Sequence, residues 1–210
     1  MTARMVMPPM TVNPDLKDRL CRAIDAPGRP SSDYDLNPDT VLSEGRKLRH
    51  AGVLIAISDA PQPHVWLTKR SPRLKHHPGQ VAFPGGKLEP QVDRDVTDAA
   101  LREAEEEIGL PRARVDLLGT LPPHETVTGF TVTPVIGLVA GAFAPRPELG
   151  EVAEVFTVPL AHLLDPDSYR IERRRWRGDW RAYYTVPWGP YYVWGATARM
   201  LRALADRMGA

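Results

Sequence analysis

Apolar residues recur with two different periods along the chain, and each period predicts one kind of secondary structure. Apolar runs and alternating apolar and polar residues predict strands. These strands lie at residues 51–58, 64–70, 79–86, 114–121, 126–140 and at the start of 154–166, which continues as a short helix. We expect the first two strands to pair as a hairpin across Pro61 and Pro63. Two alternating arms, residues 169–176 and 179–186, predict a second hairpin that turns at Gly178–Asp179.

Helices are predicted where apolar residues recur every three or four positions. Such segments cover residues 15–24, 95–108 and Gly195–Met208, and a further helical patch is predicted at Val41–Leu48. Gly109 and Pro111 are typical stop signals after the second helix. The core contains no repeat, low-complexity tract or dividing linker. The sequence therefore predicts one α+β domain at residues 49–208, preceded by an N-terminal extension, residues 1–48, that carries the short first helix.

The composition excludes several classes of protein. With 42% hydrophobic and 25% charged residues, the 210-residue chain is typical of soluble globular proteins. A net charge of +1 provides no general attraction for nucleic acid or a membrane surface. No apolar run approaches the roughly 18 residues of a membrane span. A single cysteine, Cys21, rules out a disulfide framework and fits the reducing cytoplasm, where we expect the protein to act.

Three glutamates on the second predicted helix are the main candidates for chemistry. Glu103, Glu106 and Glu107 share one helix face because they are three and four positions apart. Their like charges repel, and carboxylates at a helix C-terminus oppose the macrodipole. A hard divalent cation such as Mg²⁺ or Mn²⁺ would reverse that penalty, and Arg102 could orient one of the carboxylates. The alternative is a solvated acidic face that binds no ligand.

The segment around these glutamates resembles the Nudix box, whose pattern is G-x5-E-x7-R-E-U-x-E-E-x-G-U, where U is a bulky apolar residue. The second half of the pattern matches at Arg102, Glu103, Glu106, Glu107, Gly109 and Leu110. The first half departs from it, because Gly86 and Arg102 are sixteen positions apart instead of fourteen and Arg94 stands where the family has glutamate. Asp93 or Asp95 is the candidate replacement for that glutamate.

This resemblance implies both a fold and a reaction. The implied fold is a mixed β-sheet sandwiched between α-helices, and the implied reaction is metal-dependent hydrolysis of a diphosphate linked to another moiety. The implied ligands of Mg²⁺ or Mn²⁺ are the three box glutamates, Glu103, Glu106 and Glu107, together with the Gly86 carbonyl. Glu106 and Arg102 are also the implied catalytic residues of the box.

The resemblance further implies an acid outside the box, acting as general base or as an extra metal ligand. Glu148, Glu151 and Glu154 precede or open a predicted strand, and we select Glu151. A solvated loop acid is the alternative interpretation. His124 and Glu125 are weaker competitors for the same role.

A second motif, upstream of the box, narrows the substrate. Residues 67–86 resemble the pattern L-L-T-x-R-(S/A)-x3-R-x3-G-x3-F-P-G-G of the coenzyme A pyrophosphatase branch. The matching residues are Leu67, Thr68, Arg70, Ser71, Gly79, Phe83, Pro84, Gly85 and Gly86. Trp66 replaces the first leucine and Lys75 the second arginine. The resemblance implies that the substrate is bound by Arg70, Lys75, Ser71 and Phe83, whereas the alternative is that the two cations only solvate a loop.

The resemblance covers about residues 50–205 and implies hydrolysis of coenzyme A or its thioesters to 3′,5′-ADP and a 4′-phosphopantetheine species. Two alternatives stay open, namely a Nudix hydrolase of another nucleoside diphosphate derivative, such as NADH or an ADP-sugar, and a non-catalytic nucleotide-binding module. The expected partner is a small-molecule nucleotide diphosphate, with no membrane and no nucleic acid. A homodimer is one option for the oligomeric state.

Several other residues have two interpretations each. For His76 and His77, hydrogen bonding within a loop is favoured over metal ligation. For the run Arg173–Arg175, a solvated hairpin is favoured over contact with an adenine-nucleotide phosphate. The late aromatic residues either pack against the final helix or line a pocket for adenine or pantetheine. These aromatics are Tyr183, Tyr184, Trp188, Tyr191, Tyr192 and Trp194.

Overall fold

The computed structural model describes residues 14–42, 45–176 and 178–209. In this part of the chain the helices are α1 (Pro14–Asp25), α2 (Val96–Ile108), α3 (Leu160–Leu164) and α4 (Gly195–Met208). The strands are β1 (Ser31–Ser32), β2 (Arg49–Ser58), β3 (His64–Arg70), β4 (Val81–Ala82), β5 (Gly85–Lys87), β6 (Val115–Thr120), β7 (His124–Glu125), β8 (Phe130–Val139), β9 (Val152–Pro159), β10 (Arg170–Trp176) and β11 (Asp179–Thr185). Short 3₁₀ turns cover Arg112–Arg114 and Pro166–Ser168.

Nine strands form one mixed sheet, and its centre is the parallel pair β2–β8. The pairing runs without a break from Arg49 opposite Phe130 to Ser58 opposite Val139. The other edge of β2 pairs antiparallel with β5 near its start and with β3 near its end. The expected β2–β3 hairpin is therefore confined to one pair, Ile57 opposite Val65, and β3 pairs over most of its length with β9.

Helices cover both faces of this sheet, as the resemblance implied. Alternate residues of β2 point to opposite faces, as in any strand. Leu54 and Ala56 pack with α2, whereas Ile55 and Ile57 pack in a larger cluster with α1, α3 and α4. Because both faces of β2 are buried, its sequence is a nearly continuous apolar run. The α+β sandwich predicted from the sequence is confirmed.

Helix α1 belongs to the same core as the strands that follow it. Leu16 and Leu20 are 4% and 0% exposed and lie in the larger apolar cluster. Arg207 of α4 donates to the carbonyl oxygens of Ala23, in the last turn of α1, and Ala26, which follows the helix. The domain boundary at residues 48 and 49 stays a prediction.

The predicted helices at 95–108 and Gly195–Met208 are confirmed as α2 and α4, but the helical patch predicted at Val41–Leu48 is wrong in its described part. Val41 is 94% exposed, so this segment has no apolar surface on which a helix could pack. Ser43 and Glu44 lie outside the described residues. The second hairpin is confirmed as β10–β11, although Asp179 already pairs with Trp176 and the turn therefore lies one position earlier.

Strand β8 begins four residues later than predicted, because a turn occupies the preceding segment. The Gly129 N–H donates to the Thr126 carbonyl (3.1 Å), and the Phe130 N–H donates to Thr126 Oγ1 (3.0 Å). Gly129 has a φ of 83°, which glycine adopts without strain. Among the described residues, no helix combines the length and the apolar character needed to cross a lipid bilayer.

Candidate active site

Helix α2 is fixed at both ends and so provides a rigid base for the site. At its start, the Asp95 carboxylate accepts from the backbone N–H groups of Thr97 and Asp98. At its end, Gly109 adopts a left-handed φ of 70° and its N–H donates to the Ala104 and Glu105 carbonyls. Alanines and Ile108 bury the opposite face against the sheet. The glutamates are therefore held at one edge of the sheet.

Three carboxylates converge at the C-terminal half of α2. Glu103, Glu107 and Glu151 each offer an oxygen, and these oxygens all lie within 4.8 Å of one another. The cluster lines a cleft of about 250 Å³, whose other lining residues are Glu89, Arg102, Glu106 and Glu148. Glu151 precedes β9, and its carbonyl accepts from the Ser71 N–H at 2.8 Å. The pairing of β9 with β3 thus brings a distant acid to the helix.

Burial makes this cluster electrostatically costly without a cation. Glu107 is 4% exposed, and burial raises its pKa to about 8. The Gly85 N–H donates to its Oε2 at 3.1 Å and opposes that rise. Burial also raises the pKa of Glu103, against the effect of Arg102. Close, partly buried oxygen donors with excess negative charge fit a hard divalent cation such as Mg²⁺ or Mn²⁺.

Arg102 holds the acidic side chains of the box in place. Its Nε and Nη2 donate to the two oxygens of Asp93 at 2.8 and 3.1 Å, and this bonding lowers the Asp93 pKa. Its Nη1 lies 3.0 Å from Glu103 and donates to Glu106 at 2.9 Å. The Arg102 side chain is only 13% exposed, so its charge is largely shielded from solvent. A catalytic role for Arg102 stays a prediction.

Asp93 and Asp95, the candidate replacements for the missing box glutamate, have structural roles instead. Asp93 pairs with Arg102, and Asp95 caps α2. Neither belongs to the converging carboxylates found among the described residues. Glu106 lines the cleft, but its side chain is 59% exposed and bonds to Arg102. Its assignment as a ligand or catalytic group therefore stays a prediction.

The double glycine before the box brings β5 close to α2. A Cβ atom at Gly86 would lie 2.3 Å from Glu103 Oε1, and one at Gly85 would lie 2.5 Å from the Gly52 carbonyl oxygen. Gly85 also has a φ of 153°, which L side chains rarely adopt. Gly85 is therefore required by the backbone beside it, whereas a side chain at Gly86 would displace the Glu103 carboxylate. Ligation of a metal by the Gly86 carbonyl stays a prediction.

The four residues assigned to substrate binding have different surroundings. Arg70 ends β3, and its Nε is buried without a hydrogen-bond partner in the described part of the chain. Its charge lowers the pKa of Glu107, in opposition to burial, so the guanidinium acts on the acidic cluster. Lys75 is exposed on the loop that follows. Substrate contacts from these two cations stay predictions.

Ser71 and Phe83, the other two residues assigned to substrate binding, are both buried. Phe83 is 3% exposed and belongs to the larger apolar cluster, so its side chain packs the core. Ser71 is 2% exposed, and its hydroxyl accepts from the Arg73 N–H at 3.4 Å. Its backbone N–H holds the Glu151 carbonyl, as described above. Both side chains shape the structure around the cleft, and their contact with a substrate stays a prediction.

The histidines considered for chemistry lie in other environments. His124 is fully buried, with Nδ1 at 2.9 Å from Ser31 Oγ and Nε2 at 3.1 Å from Asp33 Oδ1. Glu125 pairs with Arg46 at 2.6 Å. Neither residue competes with Glu151 for the cleft. His77 has a φ of 54°, and burial followed by the charge of Arg70 lowers its pKa.

Most of the late aromatic side chains pack against one another. Tyr191 stacks on Phe156 with ring centroids 3.5 Å apart, and Tyr183 meets Trp194 edge-on at 5.2 Å. Arg174 lies over the Trp194 ring at 5.3 Å, which supports the packing interpretation. Trp188 packs beside His162, whereas Trp180 is 68% exposed. The side chain of Trp176 lies outside the described residues.

Sequence reasoning missed one residue of the cleft and undervalued another. Glu89 lines the cleft and lies only three positions after Gly86. Its position just after the double glycine could have identified it as a residue of the site. Glu148 also lines the cleft, although Glu151 was preferred over it. Glu154, the third acid considered, bonds instead to the Tyr191 hydroxyl.

Comparison with known proteins places this geometry in a family. The NUDIX domain model matches residues 48–178. The "uncharacterized Nudix hydrolase NudL" of Shigella boydii serotype 4 is 45% identical over 161 residues, which cover 77% of this chain and 83% of the relative. NudL of Escherichia coli O1:K1 is 44% identical over the same length and coverage. The crystal structure of RenU, a Nudix hydrolase of M. smegmatis, is 27% identical with a TM-score of 0.47, covering 59% of this chain and 81% of RenU. The chain therefore belongs to the Nudix family and is a hydrolase of the pyrophosphatase type.

Proposed function

We propose that this protein hydrolyses the diphosphate bond of a nucleotide derivative in the cleft beside α2, with Mg²⁺ or Mn²⁺ held by Glu103, Glu107 and Glu151. The observation that carries the proposal is the convergence of their carboxylate oxygens within 4.8 Å. Such oxygen donors suit both cations. A bound divalent cation would neutralise phosphate oxygens and lower the pKa of a coordinated water.

The chain's own residues would prepare the cleft for this chemistry. Arg102, held by Asp93, fixes the orientation of Glu103 and Glu106. Gly86 leaves the space that the Glu103 carboxylate occupies. Glu106 at the rim and Glu151 on its loop are the two carboxylates that we propose as acceptors of a proton from the attacking water.

Two substitutions distinguish between these carboxylates. Loss of the general base lowers kcat without weakening metal binding, whereas loss of a metal ligand lowers kcat and also weakens metal binding. We expect Glu151→Gln to raise the Kd for Mn²⁺ and to lower kcat, and Glu106→Gln to lower kcat alone, when both are measured on the same preparations. Equal wild-type behaviour of both variants would exclude both carboxylates from the reaction.

We propose coenzyme A or its thioesters as the substrate. Support comes from the upstream motif at residues 67–86 and from Arg70, a half-buried cation that acts electrostatically on Glu107. A half-buried guanidinium suits a phosphate group, which accepts strong charge-assisted hydrogen bonds. The products would be 3′,5′-ADP and a 4′-phosphopantetheine species. We further propose that the protein acts in the cytoplasm, since its single cysteine fits a reducing compartment.

The test is turnover of a substrate panel with Mg²⁺ or Mn²⁺. Coenzyme A, dephospho-coenzyme A, ADP-ribose and NADH share the diphosphate and differ elsewhere. We expect the highest kcat/KM for coenzyme A. A clear preference for NADH or ADP-ribose would overturn the substrate assignment and leave the cleft assignment intact. Tight nucleotide binding without hydrolysis of any panel member would instead favour a binding module.

A further inference from the structure

The loop before β9 is attached to the end of α2. The Arg146 N–H donates to the Ile108 carbonyl at 2.8 Å, and the Glu148 N–H donates to the Glu107 carbonyl at 2.9 Å. The loop thus binds two of the carbonyl groups that a helix leaves free at its C-terminus. As a result, Glu148 is bonded through its backbone to one member of the acidic cluster.

The Glu148 side chain then folds back over its own loop. Its Oε2 accepts from the Glu151 N–H at 3.0 Å. The Glu148 carbonyl accepts from the Glu151 and Val152 N–H groups at 3.0 and 2.8 Å. Glu148 therefore contacts α2 on one side and the backbone of Glu151 on the other.

Gly150 provides the space for this fold-back. A Cβ atom at Gly150 would lie 2.7 Å from Glu148 Oε2, so an alanine would displace the carboxylate. The φ of Gly150 is outside the left-handed region, so alanine can adopt its backbone conformation. Gly150→Ala is therefore a way to move the Glu148 carboxylate without changing any charge.

We infer that Glu148 is a positioning residue, which holds the Glu151 carboxylate at the cation site through its bond to the Glu151 N–H. The inference rests on the proposed function, because it needs Glu151 to act at that site. Glu148 lines the cleft, but it does not belong to the carboxylates that converge within 4.8 Å among the described residues. Its oxygen serves as an acceptor, and a neutral side-chain amide can accept the same hydrogen bond.

The experiment compares four variants, Glu148→Ala, Glu148→Gln, Gly150→Ala and the double variant of both alanines, in the full chain. The Kd for Mn²⁺ is measured without substrate, kcat and KM are measured on the best substrate of the panel, and the melting temperature reports folding. Glu105→Ala is the control, because this glutamate is 51% exposed and not part of the cleft lining.

Groups that orient metal ligands typically contribute ten- to a hundredfold in affinity or activity. We expect Glu148→Ala to raise the Kd for Mn²⁺ about tenfold and to lower kcat by a similar factor, with KM changed less. Glu148→Gln should stay close to wild type, since it keeps the acceptor. Gly150→Ala should reproduce the Glu148→Ala defect. The double variant should be no worse than either single variant, since both changes remove the same contact, the bond from the Glu151 N–H to the Glu148 carboxylate.

Three results would overturn the inference. If Glu148→Gln is as impaired as Glu148→Ala, the charge matters and Glu148 is a ligand. If Glu148→Ala behaves like wild type while Glu151→Gln is impaired, Glu151 acts at the site without help from Glu148. If Glu151→Gln itself keeps normal Mn²⁺ affinity and turnover, the proposed cation site is wrong and the positioning role falls with it.

Discussion

Two buried polar constellations in the described part of the chain differ in how well their charges are compensated. Beside β7, Ser31, His124 and Asp33 form a chain of hydrogen bonds, and the remaining Asp33 oxygen accepts from the Val127 N–H at 2.9 Å. Beside α2, Glu103 and Glu107 have raised pKa values because burial opposes their ionisation. The first is complete without a ligand. The second leaves buried negative charge only partly compensated, and a bound cation would neutralise it.

This difference separates a structural role from a catalytic one. Serine, histidine and aspartate are residue types of hydrolytic sites, yet here each partner is used internally and His124 has no exposed surface. Buried polar groups that are fully hydrogen-bonded specify the fold. Buried like charges that are only partly compensated identify a site that binds a ligand. The following predictions test this contrast, starting with the largest effect.

Removing one carboxylate from the acidic cluster should abolish most of the activity. We expect Glu103→Gln or Glu107→Gln to lower kcat/KM by at least about a hundredfold, because each removes a charge that would hold the cation. Without metal, the same variants should melt at a higher temperature, since like-charge repulsion is relieved. Glu105→Gln, on the same helix but outside the cleft lining, should change neither property. Near-wild-type turnover of both cluster variants at limiting Mg²⁺ would exclude the metal site.

Arg70 should contribute to substrate recognition, because it is half-buried and its charge acts on Glu107 in the acidic cluster. We expect Arg70→Ala to lower kcat/KM for coenzyme A roughly ten- to a hundredfold, the usual range for a charge-assisted contact with phosphate. The loss for dephospho-coenzyme A and ADP-ribose should be smaller. Lys69→Ala, which removes the neighbouring exposed charge, is the matched control. Equal losses across the panel would indicate that Arg70 supports the fold or the common diphosphate.

The complete constellation should respond in the opposite way, with lost stability and retained chemistry. We expect His124→Ala to cost about 2 kcal/mol, or roughly 4–8 °C in melting temperature, because Ser31 and Asp33 lose their buried partner. Turnover per folded molecule should stay within about twofold of wild type, as expected of a site outside the cleft. His50→Ala removes an exposed histidine and should leave the melting temperature unchanged. A large loss of kcat in folded His124→Ala would show that this constellation takes part in catalysis.

The smallest expected effect is a pH dependence of stability in the metal-free protein. The Glu107 pKa is about 8 in the folded state against an ordinary value of 4.5. Between these values the folded state binds more protons than the unfolded state, so the free energy of unfolding falls as pH rises. We expect the melting temperature to drop over this range and Glu107→Gln to reduce the drop. Identical pH profiles for the two proteins would contradict the raised pKa.

The parts of the molecule that could be predicted from the sequence depend on local signals. Helix α2 is confirmed at its expected position because Asp95 and Gly109 stop it at both ends. The 3.6-residue period also predicted that Glu103 and Glu107 share a face, and they do meet in the cleft. Local sequence thus specified the part of the site that α2 carries.

Other features depended on long-range pairing or side-chain direction, which local patterns do not contain. The partner of β3 is mainly β9, because β5 occupies the edge of β2 that a full hairpin would need. Phe83 matches a substrate motif in its letters but faces the core. A motif records which residue stands at a position, whereas the direction of that residue's side chain depends on the strands beside it. Glu151 was selected among three acids by analogy, and only the β3–β9 pairing brings it to α2.

The parallel pairing of β2 with β8 also has a kinetic consequence. Its first residue pair joins Arg49 to Phe130, and the intervening chain contains the upstream motif, the double glycine and all of α2. Closing so long a loop costs conformational entropy before any contact offsets it, and non-local contacts of this kind slow folding. Helix α2 gains its sheet surface only when this loop closes, and Glu151 lies beyond β8. During refolding the acidic cleft should therefore form late, after the central strands have met.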